Sequence, residues 1–318
     1  MHRRWGVWFV GCVVATLGGS LPAFAQRAGV VLVLPASARA AGAGDAAPLA
    51  DGAAALFYGA AHLPAEPALS ASAGTWIGGA QLASLAMTTR RTRFGGFGAG
   101  LQSLDYGSAE EFVPDPLTGG TRGTATGNWV GASAFAMTVG WALPLRFLHT
   151  GLAVAWLHEQ VADLSGSVLA GSVGAGITLR GWDVDHAVQH VGQGMISVGG
   201  RRSTLASTQR TSVRTPAWSA GRARVVGVAE YRDVSTEERV ALVGAEGSFT
   251  TSAGWRLSTR AAAVTQYVAS AREGWSAGGS AARGAWSLDY AYQGFGALGA
   301  VHRMGVSWRS LGARSPSR

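Results

Sequence analysis

The clearest strand signal in the sequence lies near the C-terminus and reads His302-Arg303-Met304-Gly305-Val306-Ser307-Trp308-Arg309. Successive side chains of a β-strand point to opposite faces, so the histidine, methionine, valine and tryptophan share one face. The opposite face carries the arginines, the glycine and the serine. One face is thus apolar and ends in an aromatic ring, while the other is small and cationic. This pattern predicts a strand with lipid on one side and a polar lumen on the other.

The same period of two recurs along most of the chain. Trp286, Leu288 and Tyr290 share a face, and so do Trp129 and Trp141 at the two ends of an earlier segment. Aromatic residues at both ends of an apolar face are typical of strands that cross a bilayer. Fourteen segments are predicted as strands: 69–77, 80–90, 93–105, 128–142, 147–162, 167–180, 183–191, 215–222, 224–232, 238–249, 254–264, 273–282, 285–293 and 299–309. Because backbone groups in lipid must be paired within the protein, the sheet must close. The predicted fold is therefore all-β, a transmembrane antiparallel β-barrel of about 14 strands with a short N-terminal plug.

Composition supports a barrel over a soluble or helical protein. Charged residues make up 14% of the 318 residues, against about 25% in ordinary soluble domains. Beyond residue 25 no apolar run approaches the about 18 residues that would predict a membrane-spanning helix. The net charge of +8 comes from arginines scattered singly along the strands. A clustered basic patch, the usual mark of nucleic-acid binding, is therefore not predicted.

The N-terminus has the features of a cleaved signal peptide. Arg3 and Arg4 precede a short apolar stretch, and Ala23-Phe24-Ala25 forms a small-x-small cleavage site. Cleavage would remove Cys12, the only cysteine, so no disulfide framework or cysteine-ligated metal is expected. The predicted division is signal peptide 1–25, plug segment 26–67, barrel 68–309 and C-terminal tail 310–318. An exported barrel of this kind is expected in the outer membrane of a bacterium with two membranes.

Two connections are predicted to be long loops, 107–127 and 192–214, while the others are short. If both chain ends are periplasmic, the turn near Gly78 and both long loops lie on the outer side. Transmembrane barrels carry long outer loops and short periplasmic turns, so this arrangement is self-consistent.

No constellation of catalytic residues stands out, so an enzyme, a cofactor and a metal site are not predicted. Asp183, Asp185, His186 and His190 could form a metal cluster if they lay on a helix. On a strand His186 and His190 would lie about 13 Å apart, which argues against a shared ion.

Four charged residues fall on the lumen-facing phase: Arg256, Arg260, Asp289 and Arg303. They could select anionic solutes, or they could form an ion-paired network that fills a narrow lumen. We favour the network, in which Arg303 could need a partner such as Asp289.

Specific motifs resemble a known family. The N-terminal segment reads Ser37-Ala38-Arg39-Ala40-Ala41-Gly42-Ala43-Gly44, then Leu49-Ala50-Asp51-Gly52-Ala53-Ala54-Ala55-Leu56-Phe57-Tyr58. It resembles the N-terminal signature of the PorV/PorQ proteins, which belong to the wider FadL-like outer-membrane superfamily. The stretch from Gly296 to Ser307 resembles the end of the same family. Carried over, the plug motif comprises Arg39, Asp51, Phe57 and Tyr58. The chain departs where the family has Asn-Pro-Ala-Gly and this sequence has Gly59 to His62.

The resemblance implies a fourteen-stranded barrel with a plug, and two functions. PorV-type members serve the type IX secretion system and receive exported cargo, which implies a non-enzymatic role in secretion or surface assembly. FadL-type members move hydrophobic small molecules across the outer membrane, which is the alternative. A general diffusion porin is a third, less favoured interpretation. The expected partners are outer-membrane lipid, with secretion-machinery proteins and exported cargo under the first interpretation, and no nucleic acid.

Overall fold

The structure, a computed structural model, describes residues 27–50, 52–114, 123–145, 147–196, 202–234, 238–266 and 274–311. Its main sheet is antiparallel and consists of fourteen wall strands in chain order. They are β1 Ala68–Thr75, β2 Gln81–Thr88, β3 Gly96–Pro114, β4 Gly123–Leu145, β5 Leu148–Val161, β6 Leu164–Leu179, β7 Trp182–Gly192, β8 Thr208–Arg214, β9 Ala223–Val234, β10 Glu238–Thr250, β11 Arg256–Gln266, β12 Trp275–Arg283, β13 Trp286–Gly294 and β14 Ala300–Arg309.

The sheet closes on itself through its first and last strands. Strand β14 pairs with β1, with Met304 opposite Ala73. Strand β8 pairs with both β7 and β9. The short strand Trp218–Ala220 follows β8 in the chain and pairs with the first residues of β9. The predicted closed barrel of fourteen antiparallel strands is therefore confirmed.

The predicted position of the eighth strand, 215–222, is wrong. The strand begins at Thr208 instead of residue 215, so the second half of the predicted loop 192–214 is wall. The reason is that Thr208, Arg210 and Ser212 face inward while Gln209 and Thr211 face outward. Both faces are polar here, so the apolar period of two that signals a strand is missing.

The predicted loop 107–127 is also wrong at its flanks. Strand β3 continues to Pro114 and β4 begins at Gly123, so the two form a hairpin that projects beyond the rest of the wall. Most side chains of this extension are exposed on both faces, which removes the apolar signal. At the opposite end of the barrel, β6–β7, β12–β13 and the Trp218–Ala220 to β9 connection are two-residue turns. We call the two rims the loop end and the turn end; both ends of the barrel chain, near Ala68 and Arg309, lie at the turn end.

The outer surface carries an apolar band, which is interrupted by polar side chains on β8. On β14, Met304 is 68% exposed while its neighbour Arg303 is 2% exposed, and Val306 also faces out. The predicted alternation of this strand is therefore confirmed. Aromatic side chains edge the band, at the turn end for example Phe97, Trp182, Phe249 and Trp286.

The height of the band fits a bilayer. Trp129 and Trp141 lie twelve residues apart on β4 with their side chains outward. That separation is about 40 Å along a strand and about 30 Å across the membrane at the usual tilt of about 40°, close to the thickness of a hydrocarbon core. Within the described residues, no helix is long and apolar enough to cross a membrane.

Residues 27–50 and 52–67, which we call the plug segment, lie inside the barrel. The segment forms two short helices, Val30–Val33 and Ala38–Ala41, and two 3-10 helices, Ala47–Leu49 and Gly52–Tyr58. Its strand Arg27–Ala28 pairs with Arg202–Leu205 from the β7–β8 connection, which also pairs with Met195–Ile196. The predicted signal peptide, Cys12 and residues 312–318 of the tail lie outside the described residues.

Glycines on the inner wall let the plug approach the backbone of the strands. A Cβ added to Gly151 would collide with the backbone of Ala60 and Ala61, and one added to Gly100 would meet the ring of Phe57. Close approach of this kind is possible only where the wall has no side chain. Some of the chain's 47 glycines are therefore explained by a lumen that is packed with the chain's own residues.

Candidate functional site: the plugged lumen

The inner wall of β2 to β6 is apolar at the loop end. It presents leucines and alanines, against which the plug helix Val30–Val33 packs Val31 and Leu32. Leu205 from the β7–β8 connection completes the contact. The members of this apolar wall are Leu82, Leu104, Ala134, Ala136, Ala155, Leu157 and Ala170. Most are less than 5% exposed, so the plug covers them.

Two hydrogen bonds fix the start of the plug to this wall. The side-chain amide of Gln102 donates to the carbonyl oxygen of Val31 at 3.1 Å. Nearby, the backbone N–H of Gly29 donates to the Glu159 carboxylate at 2.7 Å. The helix is thus held by a few hydrogen bonds and by apolar packing.

The buried charges of the wall lie on the opposite side of the lumen. Every buried arginine and glutamate of the described wall lies on strands β8 to β14. The centre of this region is Asp45 of the plug, whose carboxylate lies 3.2 Å from Arg210 and 3.1 Å from Arg232. Glu230 lies between the same two arginines, at 3.0 and 2.9 Å. The two cations and two anions balance, as buried charges must if they are to remain ionised.

Tyr58 connects this charged group to the plug backbone. Its hydroxyl donates to Asp45 at 2.6 Å and accepts from the N–H groups of Ala36 and Ser37 at 3.2 and 3.3 Å. Burial raises the pKa of Tyr58 well above the ordinary value of a tyrosine, so the hydroxyl stays protonated and remains a donor. The ring lies beneath the Arg210 guanidinium, 5.2 Å from centroid to carbon.

A second balanced group involves Arg39, the first residue of the plug motif. Its guanidinium contacts Glu246, which also lies 3.3 Å from Arg260. Arg260 in turn donates to Asp289 at 3.0 Å and to Ser280 at 2.7 Å. The structure thus places Arg39, Arg260 and Asp289 in one ion-paired chain between the plug and the wall.

The remaining predicted site residues are placed separately. Arg303 is buried and donates to Ser72 at 3.0 Å, and Asp289 accepts a hydrogen bond from Arg260. Arg256 lies exposed at the rim of a cavity of about 360 Å³ at the turn end, together with five other arginines. Phe57 packs in the lumen beside Leu56 and Leu63. Asp51 lies outside the described residues.

A third polar group was missed by reasoning from the sequence. Asp185 was considered with His186 and His190, but His186 is exposed and bonds Thr211 on the next strand. The structure instead brings Asp185 together with His149 of β5 and His62 of the plug. These partners lie 36 and 123 residues away along the chain. Only the register of β5, β6 and β7, together with the path of the plug, could have identified them.

Known proteins resemble this chain in structure and not in sequence. No protein-family model and no curated protein sequence matches the chain. Solved structures do. The toluene transporter TbuX of Ralstonia pickettii has a TM-score of 0.55 at 13% identity, covering 88% of this chain and 100% of that one. The toluene transporter TodX of Pseudomonas putida has a TM-score of 0.56 at 10% identity, covering 88% and 99%.

A FadL homologue of Pseudomonas aeruginosa is similar as well, with a TM-score of 0.51 at 10% identity over 87% of this chain and 98% of that one. At these identities the likeness establishes the architecture alone. The chain therefore has the fold of FadL-like outer-membrane barrels. Which function this fold performs here depends on its lumen.

Proposed function

We propose that the protein is an outer-membrane channel for small hydrophobic compounds. The observation that carries the proposal is the apolar wall, which is formed by Leu and Ala side chains on five consecutive strands and lies across the lumen from the buried charges of β8 to β14. A binding region for an apolar solute needs such a surface with only a few polar groups. The solved structures of this fold include transporters of toluene, which supports the same class of solute.

The apolar wall becomes accessible only when the plug moves. Val31, Leu32 and Leu205 occupy the position that a solute would take against Leu82, Leu104 and Leu157. A solute that replaces these side chains exchanges one apolar contact for another, so the free-energy difference between the two states is small. In the proposed channel, the solute therefore displaces plug side chains from the apolar wall; the channel is not a permanently open pore.

Uptake of radiolabelled toluene by intact cells tests the proposal. Cells whose outer membrane contains this protein are expected to take up toluene several-fold faster than cells with an empty vector. Leu82→Ser should remove most of that gain, because it places a hydroxyl on the apolar wall. Leu242→Ser is the matched control: Leu242 is equally buried at 2%, but it lies on β10 against Ala43, Ala46 and Leu49. Equal uptake with and without the protein would refute the proposal.

The secretion role implied by the PorV/PorQ resemblance is the second candidate. Its motif residues Ser37, Arg39, Phe57 and Tyr58 all have structural roles in the plug. Ser37 caps the helix Ala38–Ala41 by accepting from the N–H of Ala40, and the other three hold the segment to the wall or its own backbone. The motif therefore supports a shared plug-and-barrel fold, and does not by itself favour a secretion role.

Purification under mild detergent distinguishes the two candidates. A secretion component should be recovered with translocon proteins or exported cargo in stoichiometric amounts. The hydrocarbon channel proposed here should be recovered without them.

A further inference from the structure

The structure brings two histidines and one aspartate to a single point at the turn end of the lumen. His149 on β5 is opposite Gly176 on β6, and Gly176 is opposite Asp185 on β7. All three positions face inward. Because Gly176 has no side chain, the imidazole and the carboxylate meet above it; an added Cβ there would overlap Asp185 Oδ1 and His149 Nε2. The wall thus presents a pair of ligand atoms across three strands.

The plug supplies the third ligand. Nε2 of His62 lies 2.6 Å from Asp185 Oδ1, and Nε2 of His149 lies 2.6 Å from the same oxygen. The two imidazole rings are 4.1 Å apart between centroids, and all three ligand atoms lie within 4.8 Å of one another. Two ring tips therefore converge on one carboxylate oxygen from two different parts of the chain.

From this geometry we propose that His62, His149 and Asp185 bind a divalent transition-metal ion, with Zn²⁺ as the best fit. Zinc takes imidazole nitrogen at about 2.0–2.1 Å and carboxylate oxygen at about 2.0–2.2 Å, in tetrahedral sites. Ligand atoms around such an ion are about 3.3 Å apart. Each imidazole nitrogen therefore needs to move less than about 1 Å further from the Asp185 oxygen, from the present 2.6 Å. The His62 side chain is 44% exposed, which leaves one side of the site open for a water molecule as the fourth ligand.

The chemistry of the ligand set excludes the hard cations. Ca²⁺ and Mg²⁺ take six or more oxygen ligands and are rarely bound through imidazole. Two imidazoles with one carboxylate suit Zn²⁺, Co²⁺ or Ni²⁺. The alternative without a metal is a hydrogen-bonded group in which both histidines donate to Asp185.

A bound ion would fasten the plug to the wall. His62 lies four residues beyond the last residue of the 3-10 helix Gly52–Tyr58, while His149 and Asp185 belong to β5 and β7. The metal would thus cross-link the end of the plug to two wall strands at the turn end. The apolar wall that the proposed solute would use lies at the other end, so this inference stands independently of the transport proposal.

Metal binding by the purified full-length barrel tests the inference. Untagged protein in detergent is treated with a chelator, dialysed and titrated with Zn²⁺, and the bound metal is measured by mass spectrometry and calorimetry. One Zn²⁺ per chain is expected. Co²⁺ in its place should give the visible absorption bands of a tetrahedral nitrogen–oxygen site. Zn²⁺ should also raise the unfolding temperature of the wild type.

Matched variants decide whether the three residues are the ligands. His62→Ala changes only the plug and leaves the wall intact, and Asp185→Asn removes the carboxylate charge; each should weaken Zn²⁺ binding at least tenfold. The controls are His158→Gln on β5 and Asp183→Asn on β7, whose side chains bond Ser167 and Thr178. These controls should bind like the wild type. Absence of stoichiometric Zn²⁺ from the wild type, or equal weakening in the controls, would overturn the proposal in favour of the hydrogen-bonded group.

Discussion

At the level of single residues, Tyr58 connects three parts of the plug through one hydroxyl group. One hydroxyl satisfies the N–H groups of Ala36 and Ser37 and the carboxylate of Asp45. Leaving buried polar groups without a partner costs about 1–3 kcal/mol. Tyr58→Phe should therefore loosen the plug by about that amount while the barrel remains folded. Hydrogen exchange at Ala36 and Ser37 should accelerate about tenfold or more.

The control for this prediction is Tyr290→Phe. The hydroxyl of Tyr290 is hydrogen-bonded to His302 Nδ1 at 2.7 Å, but on the outer surface. This variant should leave exchange in the plug unchanged. If Tyr58→Phe exchanges at the wild-type rate, the hydroxyl does not hold the plug.

For single residues, the sequence predicts which face of a strand a side chain lies on, but not which residues it contacts. The sequence predicted that Arg260, Asp289 and Arg303 face the lumen, because side chains alternate between the two faces of a strand. Their partners could not be predicted. The contacts of Asp45 with Arg210 and Arg232 span 165 and 187 residues, and no local pattern carries such a distance.

At the scale of elements, a strand was predictable wherever its two faces differ in polarity. Strand β14 separates Met304 and Val306 from Arg303 and Ser307, and its register was correct. Strand β8 has polar side chains on both faces, so its position had to come from the neighbouring strands. The plug was predicted from a family motif and not from periodicity, since its helices are only four residues long.

A substitution on each face of β14 tests the element directly. Val306→Arg places a charge on the lipid-facing side of the strand. Such a charge costs about 2–4 kcal/mol at the bilayer midplane and less toward the interface, where the Trp286–Trp308 pair lies. The variant should reduce the folded, heat-resistant form on native gels. The control is Ser307→Glu, at the next residue, which faces the arginine-lined cavity. There Arg283 and Arg309 can pair with the new carboxylate. The control should remain folded, and equal loss in both variants would contradict the assigned faces.

At the scale of the whole molecule, the lumen has two unlike sides, and the plug contacts both. Its helix Val30–Val33 rests on the apolar wall of β2 to β6, while Arg39 and Asp45 are ion-paired to β8, β9 and β10. Apolar contacts can be exchanged for an apolar solute at little cost, whereas breaking a buried ion pair costs about 3–5 kcal/mol. We therefore expect the first part of the plug to move during transport while the ion-paired part stays in place.

A disulfide in each part of the plug separates these two motions. The Cβ of Ala38 lies 3.0 Å from the position that a Cβ on Gly305 would take, near the about 3.5–4.5 Å of a disulfide. Oxidised Ala38→Cys/Gly305→Cys should transport toluene at close to the wild-type rate, because it joins a region expected to stay fixed. For the moving part, Val31→Cys can be paired with a cysteine at Gln102, whose side chain already bonds the Val31 backbone. That cross-link should reduce uptake at least tenfold, and reduction with a thiol should restore it, with the single-cysteine variants as controls. The opposite result, with uptake blocked by the Ala38 cross-link and not by the Val31 cross-link, would contradict this prediction. It would mean that the ion-paired part of the plug moves and the part on the apolar wall stays in place.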